Sequence, residues 1–474
     1  MEKEWKKMHQ SKNQSIKKFN DAKFGMFIHF GAYSRLGGFW KGEKVEGIGE
    51  CIMRYAEIPR SEYREAIKLF NPVKFNADEW VLAAKMAGMS YIVAMPKHAD
   101  GFAMYDSKVT DYDIMDATSF GRDPMDELYQ ACKRHDINFS IYFNYLDWMD
   151  GGNGGVKDYE KTHPSEEKSY QYWANTWDPS PVTFTDYLEK KYKPQLRELL
   201  NKYTGLQELW HDMPMKITRE QSFEVYKMVY EIQPAILDNS RVGNDFGDFW
   251  IPGDNTIPEE KMDSMLFDEG ASLNKAIKLS WETPGTMNNT WGYRSDDQDW
   301  KSTGELLYWI TSITSKGGNY LLNIGPTGEG LFPEESLNRL KEIGEWMSVN
   351  GESVYGSTKW IINHEGPTIV SIKGTESREE KGFNYQFTPQ DFWFSKKDNK
   401  LYVTSLKWPE NNEILIEALS RLTRDEISKI ESVRLLGCDE KVSWAMKEKG
   451  LTLTLPSKRP NAYGYVLRIT FKNV

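Results

Sequence analysis

Along the first three-quarters of the chain, two hydrophobic rhythms take turns. Short apolar runs of strand length are each followed by longer stretches with apolar residues at helical spacing. Met26–Gly31 (MFIHFG), Ser90–Met95 (SYIVAM), Phe139–Asn144 (FSIYFN), Leu206–Asp212 (LQELWHD), Ala235–Asn239 (AILDN) and Asn319–Gly325 (NYLLNIG) read as strands, and Ser280–Thr283 as a further strand end. Asp78–Gly88, Pro124–His135, Tyr187–Tyr203, Glu220–Gln233 and Thr303–Ser315 read as the helices between them. One of these helices begins on a proline and another stops at a glycine, as helix ends favour.

Repeated strand–helix units predict a parallel sheet with helical cover. About seven strands over some 320 residues fit an α/β fold of the (β/α)8-like barrel type better than an open nucleotide-binding sheet. No GxGxxG or GxxxxGK[ST] is present to argue otherwise. After about residue 350 the rhythm changes. Thr368–Lys373, Leu401–Leu406, Leu451–Leu455 and Tyr463–Ile469 read as strands parted by turn residues. The expectation is a catalytic barrel over residues 1–350 and a C-terminal antiparallel β-sandwich over 351–474. Gly151–Gly155 (GGNGG) reads as a flexible loop near the barrel mouth, and the Lys-rich Met1–Lys18 as a solvated leader helix.

Bulk properties narrow the classes. A net charge of −10 and the lack of a basic stripe argue against nucleic acid as a partner. No apolar run is long enough to span a membrane. The start has no apolar h-region, so no secretory signal is expected in this chain; a cytoplasmic protein and a processed exported one both fit. Cys51, Cys132 and Cys438 are odd in number and far apart, which speaks against a disulfide framework or a cysteine zinc site. Aromatic residues reach 14%, enough to supply sugar-stacking faces as well as core.

A barrel places functional groups at the C-terminal ends of its strands. His29, His98, Tyr142, Asp212, Arg241 and Glu282 all lie at or just beyond such predicted ends. Asp212 closes an apolar strand beside Trp210 and His211, and Met213-Pro214 then breaks the chain. Taken alone it reads first as a turn or capping aspartate; its company points to chemistry. Glycoside hydrolysis needs two carboxyl groups, one attacking and one donating a proton. The candidates for the second are Glu282, then Asp254, then Glu259. Glu282 lies beside Trp281, whose indole could desolvate it and raise its pKa. The plainer reading of Glu282 is a buried structural glutamate. His29 and His98 read as packed histidines or as a hydroxyl-binding pair. No HExxH, His-x-His or GxSxG pattern occurs, so neither metal nor serine chemistry is favoured, and no cofactor is expected.

At these residues the chain resembles the α-L-fucosidases of glycoside hydrolase family 29. Phe24–Ser34 (FGMFIHFGAYS), Phe75–Met89, Tyr91–Asp106, Thr110–Thr118, Arg122–Pro124, Tyr142–Trp148, Leu209–Asp212, Trp281–Tyr293 and Gly318–Gly325 follow in the family's order. The segment LLGCDEKVSWAMKEKGLTLTLP resembles its C-terminal region. The resemblance implies a retaining exo-glycosidase working by double displacement, with Asp212 as nucleophile. It implies a sugar pocket lined by His29, His98, Tyr142, Trp210 and Arg241, with Glu50 touching hydroxyls and Trp40 as a further wall. The implied partner is a fucosylated oligosaccharide or glycoconjugate, and a homo-oligomer stays open. Two positions depart from the family. Ala99 follows His98 where a second histidine is usual, and Cys51 follows Glu50 where tryptophan is usual. Both lie among groups expected to meet hydroxyls, so a relative of L-fucose such as L-galactose, or an unusual linkage, fits as well. A sugar-binding protein without turnover is the alternative reading.

Overall fold

The computed structural model describes residues 1–151, 173–214, 217–258, 280–370 and 386–472. Its first part is an eight-stranded parallel barrel. The strands are β1 (Phe24–Ile28), β2 (Tyr91–Lys97), β3 (Asn138–Asn144), β4 (Glu208–Asp212), β5 (Leu237–Asp238), β6 (Phe249–Trp250), β7 (Ser280–Thr286) and β8 (Asn319–Ile324). They pair in the order β5-β4-β3-β2-β1-β8-β7-β6. One isolated parallel bridge, Asn239↔Phe249, joins the two ends of this sheet and closes the ring.

The long strands form because their apolar runs are buried on both faces, as a barrel under helical cover requires. The helices Pro124–His135 and Thr303–Ser315 span the expected residues. Asp123 caps the first by accepting from the Asp126 N–H, and Ser302 caps the second through Glu305. The helical stretch 184–202 carries a π-turn at Leu188–Tyr192.

The N-terminal segment differs from the expected solvated leader. It forms two helices, Glu2–Ser11 and Asn13–Ala22, that bury Trp5, Met8, His9, Lys12 and Phe19. Lys12 does not face water. Its Nζ lies 2.6 Å from Asp248 and 3.3 Å from Asp238, the residues flanking the β5–β6 closure. His9 Nδ1 meets the other oxygen of Asp248 at 2.8 Å. Two carboxylates placed at the seam by distant sequence draw this lysine inward, and an isolated reading of a Lys-rich stretch lacks them.

The helix Glu334–Asn350 leads into the C-terminal region. There β9 (Thr358–Glu365), β10 (Phe392–Lys397), β11 (Lys400–Ser405), β12 (Glu413–Ile416), β13 (Ile430–Leu435), β14 (Ser443–Lys447), β15 (Gly450–Thr454) and β16 (Tyr465–Phe471) form antiparallel sheets of five and three strands. The five-stranded order is β9-β10-β11-β16-β13 and the three-stranded order β12-β15-β14. Phe392, Phe394, Leu401, Val403, Leu467 and Ile469 of the larger sheet pack on Ile414, Ile416, Leu451 and Leu453 of the smaller. Thr368–Val370 are not strand; Thr358–Glu365 takes that place, and Ser371–Lys373 lie outside the described residues.

Candidate active site

The barrel's C-terminal mouth collects most of the candidate residues. His29 directly follows β1, His98 directly follows β2, and Asp212 is the last residue of β4. Arg241 sits on a 3-10 turn, Ser240–Val242, just after β5. Asp254 lies four residues past the end of β6.

Asp212 is held by two donors. The Tyr142 hydroxyl donates to its Oδ2 at 2.7 Å, and Arg241 Nη1 to its Oδ1 at 2.7 Å. The other end of the same guanidinium, Nη2, donates to Asp254 Oδ1 at 2.6 Å. One planar cation therefore bridges the two carboxylates. Arg241 also lies over Trp210, 5.0 Å from the ring centroid. Burial, reinforced by the Asp212 charge, raises the Tyr142 pKa far above normal, so this phenol stays a donor.

The histidines face each other across the floor at 5.9 Å between ring centroids. Asn323 Nδ2 donates to the Trp291 carbonyl at 2.8 Å, which leaves Asn323 Oδ1 to accept from His29 Nδ1 at 2.6 Å. The proton therefore sits on Nδ1 and the lone pair on Nε2. Burial and the neighbouring His98 hold the His29 pKa well below its ordinary value, so the ring is neutral. Burial pushes His98 down to about 3. Its ring stacks on Tyr142 at 5.7 Å and 6°, and its Nδ1 has no hydrogen-bond partner among the described residues.

Glu50 sits on a buried 3-10 turn, Gly49–Cys51. Its Oε2 accepts from the Gly292 N–H at 2.7 Å. The close approach needs glycine: a Cβ at Gly292 would lie 2.8 Å from the Glu50 nitrogen. Burial, with the charges of Asp254 and Asp212 adding to it, pushes Glu50 up to about 7 despite the backbone donors. Trp40 lies on the small hairpin Phe39–Trp40/Glu43–Lys44, half-buried against the main core, with Lys41 Nζ 5.5 Å from its ring.

Glu282 is not at the mouth. It is the third of seven residues in β7, pairs with the first residue of β8, and is fully buried inside the barrel. Tyr91 donates to its Oε2, and Trp210 Nε1 to its Oε1 at 3.0 Å. Burial pushes it up to about 7, even though these two donors favour its charge. The indole against it is Trp210 and not the expected Trp281. Strand alternation turns Trp281 to the opposite face, where it packs over Gly318. Glu259 and the rest of the GGNGG loop beyond Gly151 lie outside the described residues. Sequence reading passed over Asn323, Asn239 and Tyr91. Asn323 and Asn239 end or follow strands and orient neighbours; Tyr91 starts a strand, where no functional group was sought.

Among the described residues no group of three or more His, Cys, Asp and Glu side chains is arranged to hold a metal ion. No helix among them is long and apolar enough to cross a membrane.

A closed (β/α)8 barrel with two aspartates facing one arginine at its mouth suits a glycoside hydrolase. The α-L-fucosidase family model matches residues 1–352, and the model of that family's C-terminal domain matches residues 384–470. This chain belongs to the α-L-fucosidase family. Tissue α-L-fucosidase of Macaca fascicularis is 27% identical over 476 residues, spanning 95% of this chain and 88% of the relative. The α-L-fucosidase structure from Vibrio sp. strain EJY3 has a TM-score of 0.77 and 29% identity, over 97% of this chain and 73% of that one. A mutant of α-L-fucosidase AlfC, in complex with 4-nitrophenyl α-L-fucopyranoside, has a TM-score of 0.62 and 35% identity, over 71% of this chain and 98% of that one.

Proposed function

We propose that this chain cleaves α-L-fucosides, or glycosides of a closely related L-sugar, with retention and through a covalent glycosyl-enzyme. Asp212 attacks the anomeric carbon. Asp254 protonates the departing oxygen and then takes a proton from the attacking water. The observation that carries this reading is the Arg241 guanidinium held between the two aspartates. A single guanidinium bridging the two carboxyl groups suits a pair that acts on one anomeric centre. Tyr142 keeps Asp212 oriented through the hydrogen bond to its Oδ2. Glu282 suits the acid role less well, because it sits a layer lower with both oxygens engaged. His29, His98, Glu50 and Trp210 then surround the sugar, with the neutral His29 offering an acceptor to one hydroxyl. Trp40 is suited to an outer wall.

The test is hydrolysis of 4-nitrophenyl α-L-fucopyranoside and of glycosides with poorer leaving groups. Asp212→Gly with azide should give an inverted glycosyl azide, and Asp254→Gly with azide a retained one. The pH profile of wild type should be bell-shaped. No cleavage by wild type of this or any related L-sugar glycoside would sink the proposal, and binding without turnover would favour a sugar-binding role instead.

A further inference from the structure

The lower layer of the barrel holds an arrangement that the reaction as written leaves unused. Glu282 and Glu208 are both fully buried there. Tyr91 and the Trp210 indole N–H both donate to Glu282. Neither carboxyl oxygen of Glu208 has a hydrogen-bond partner among the described residues. Above them, the Trp210 ring carries the Arg241 guanidinium at 5.0 Å and is stacked with Tyr142 at 5.9 Å and 19°. Those two side chains hold Asp212, and Arg241 also holds Asp254. A rigid path therefore runs from Glu282 through one indole to both reacting carboxylates.

We propose that Glu282 is a positioning residue, which fixes the Trp210 indole and through it the guanidinium that spans Asp212 and Asp254. This rests on the proposed roles of the two aspartates. A buried indole N–H needs an acceptor, and Glu282 Oε1 is the one the Trp210 N–H reaches. Two donors aimed at Glu282 favour its ionised form, so the proton that a buried carboxyl pair must keep resides on Glu208. Burial, with the Glu282 charge adding to it, raises Glu208 well above the ordinary range, in line with that assignment. The indole is thereby pinned at its lower edge and presents its face upward. Letting it turn would shift the guanidinium, and small misplacements of reacting groups are costly.

The test compares Glu282→Gln and Glu282→Met, each alone and combined with Trp210→Phe. Glutamine keeps an amide oxygen to accept from the indole, while its N–H can donate to the Tyr91 oxygen only if the phenol proton turns away; methionine offers the indole no such acceptor. Glu282→Gln should retain kcat/KM within a few-fold and both limbs of the pH profile. Glu282→Met should lower kcat by about ten- to a hundredfold, with little change in KM. In the Trp210→Phe background the Glu282→Met loss should largely vanish, because the indole N–H it serves is gone. Additive losses would overturn the proposal. So would a Glu282→Gln enzyme as impaired as Glu282→Met, with one pH limb lost and activity restored by azide, since that marks an acid/base. If Glu282→Met does not fold, Glu282→Gln and Trp210→Phe still decide between the two. A wild type inactive on every glycoside would instead remove the underlying reading.

Discussion

Replacing Lys12 by methionine tests the N-terminal helices most directly. The change keeps most of the apolar stem and removes the ammonium with the hydrogen bonds it donates. In the native chain the Lys12, Asp238 and Asp248 side chains are fully buried, with Nζ 2.6 Å from Asp248 and 3.3 Å from Asp238. Burial pushes the lysine pKa down, but Asp248 and Asp238 together outweigh it and hold the ammonium above its ordinary value. Burial likewise raises Asp248, and Lys12 and His9 more than compensate, so its pKa is lowered. Without the cation, two neighbouring carboxylates face each other in a dry site. Removing one partner of a buried ion pair costs about 3–5 kcal/mol, a large share of the roughly 5–15 kcal/mol that holds an ordinary protein folded. The sign with pH follows from both shifts. The lowered Asp248 contributes stability above its unfolded pKa and loses it as pH falls through the folded one. The raised Lys12 contributes below its unfolded pKa and loses it as pH rises through the folded one. The stabilisation is thus fullest between the two, around neutrality. Urea unfolding followed by tryptophan fluorescence at pH 7 measures it. A loss below about 1 kcal/mol at pH 7 would refute the view that this triad clamps the barrel seam.

Three further outcomes are expected. Tyr142→Phe removes a hydrogen bond to the Asp212 carboxylate and the acceptor of Asn144 Nδ2; bonds to charged groups are worth about 1.5–3 kcal/mol, so kcat/KM should fall about ten- to a hundredfold and the melting temperature should fall with it. Gly292→Ala puts a methyl 2.8 Å from the Glu50 nitrogen and 2.8 Å from the Tyr33 ring; a destabilisation of about 1–3 kcal/mol by urea titration is expected, with activity lost alongside. The Glu50 carboxyl is raised from 4.5 to about 7, so its folded form resists charging and stability should fall as pH rises between those values. At about 1.4 kcal/mol per pH unit the cost reaches about 3 kcal/mol, and Glu50→Gln should flatten that part of the stability–pH curve.

Much of the barrel was legible because its long strands are unbroken apolar runs, which burial on both faces requires. The strand β6, Phe249–Trp250, was not, since two residues carry no period. The placement of Asp212, His29 and His98 at or just after strand ends was legible, because each closes an apolar run. It was misread at Glu282 for a definite reason. Sequence placed the strand end at Thr283, where Pro284 and Gly285 follow, yet the strand runs on to Thr286. Three more residues of strand lower Glu282 by about 10 Å relative to the mouth. Lys12 was misread for the opposite reason: its partners Asp238 and Asp248 come from more than two hundred residues away, and local pattern holds no trace of them.

The central strands of the larger C-terminal sheet are buried on both faces. Phe392, Phe394, Val403 and Leu467 turn toward the small sheet. The alternate residues Trp393, Tyr402 and Val466 belong to the barrel's own core cluster, with Trp393 5.9 Å from Tyr308 of the helix Thr303–Ser315. Backbone and side-chain bonds add to this, as where Tyr463 donates to Glu342 at 2.8 Å. A chain cut after Asn350 would leave that helix with a bare aromatic wall, and an isolated sandwich would expose the other half of the same joint. The polypeptide can be divided there on paper, but heat or denaturant should find a single cooperative body, in which damage at the far sandwich is felt as loss of the catalytic barrel.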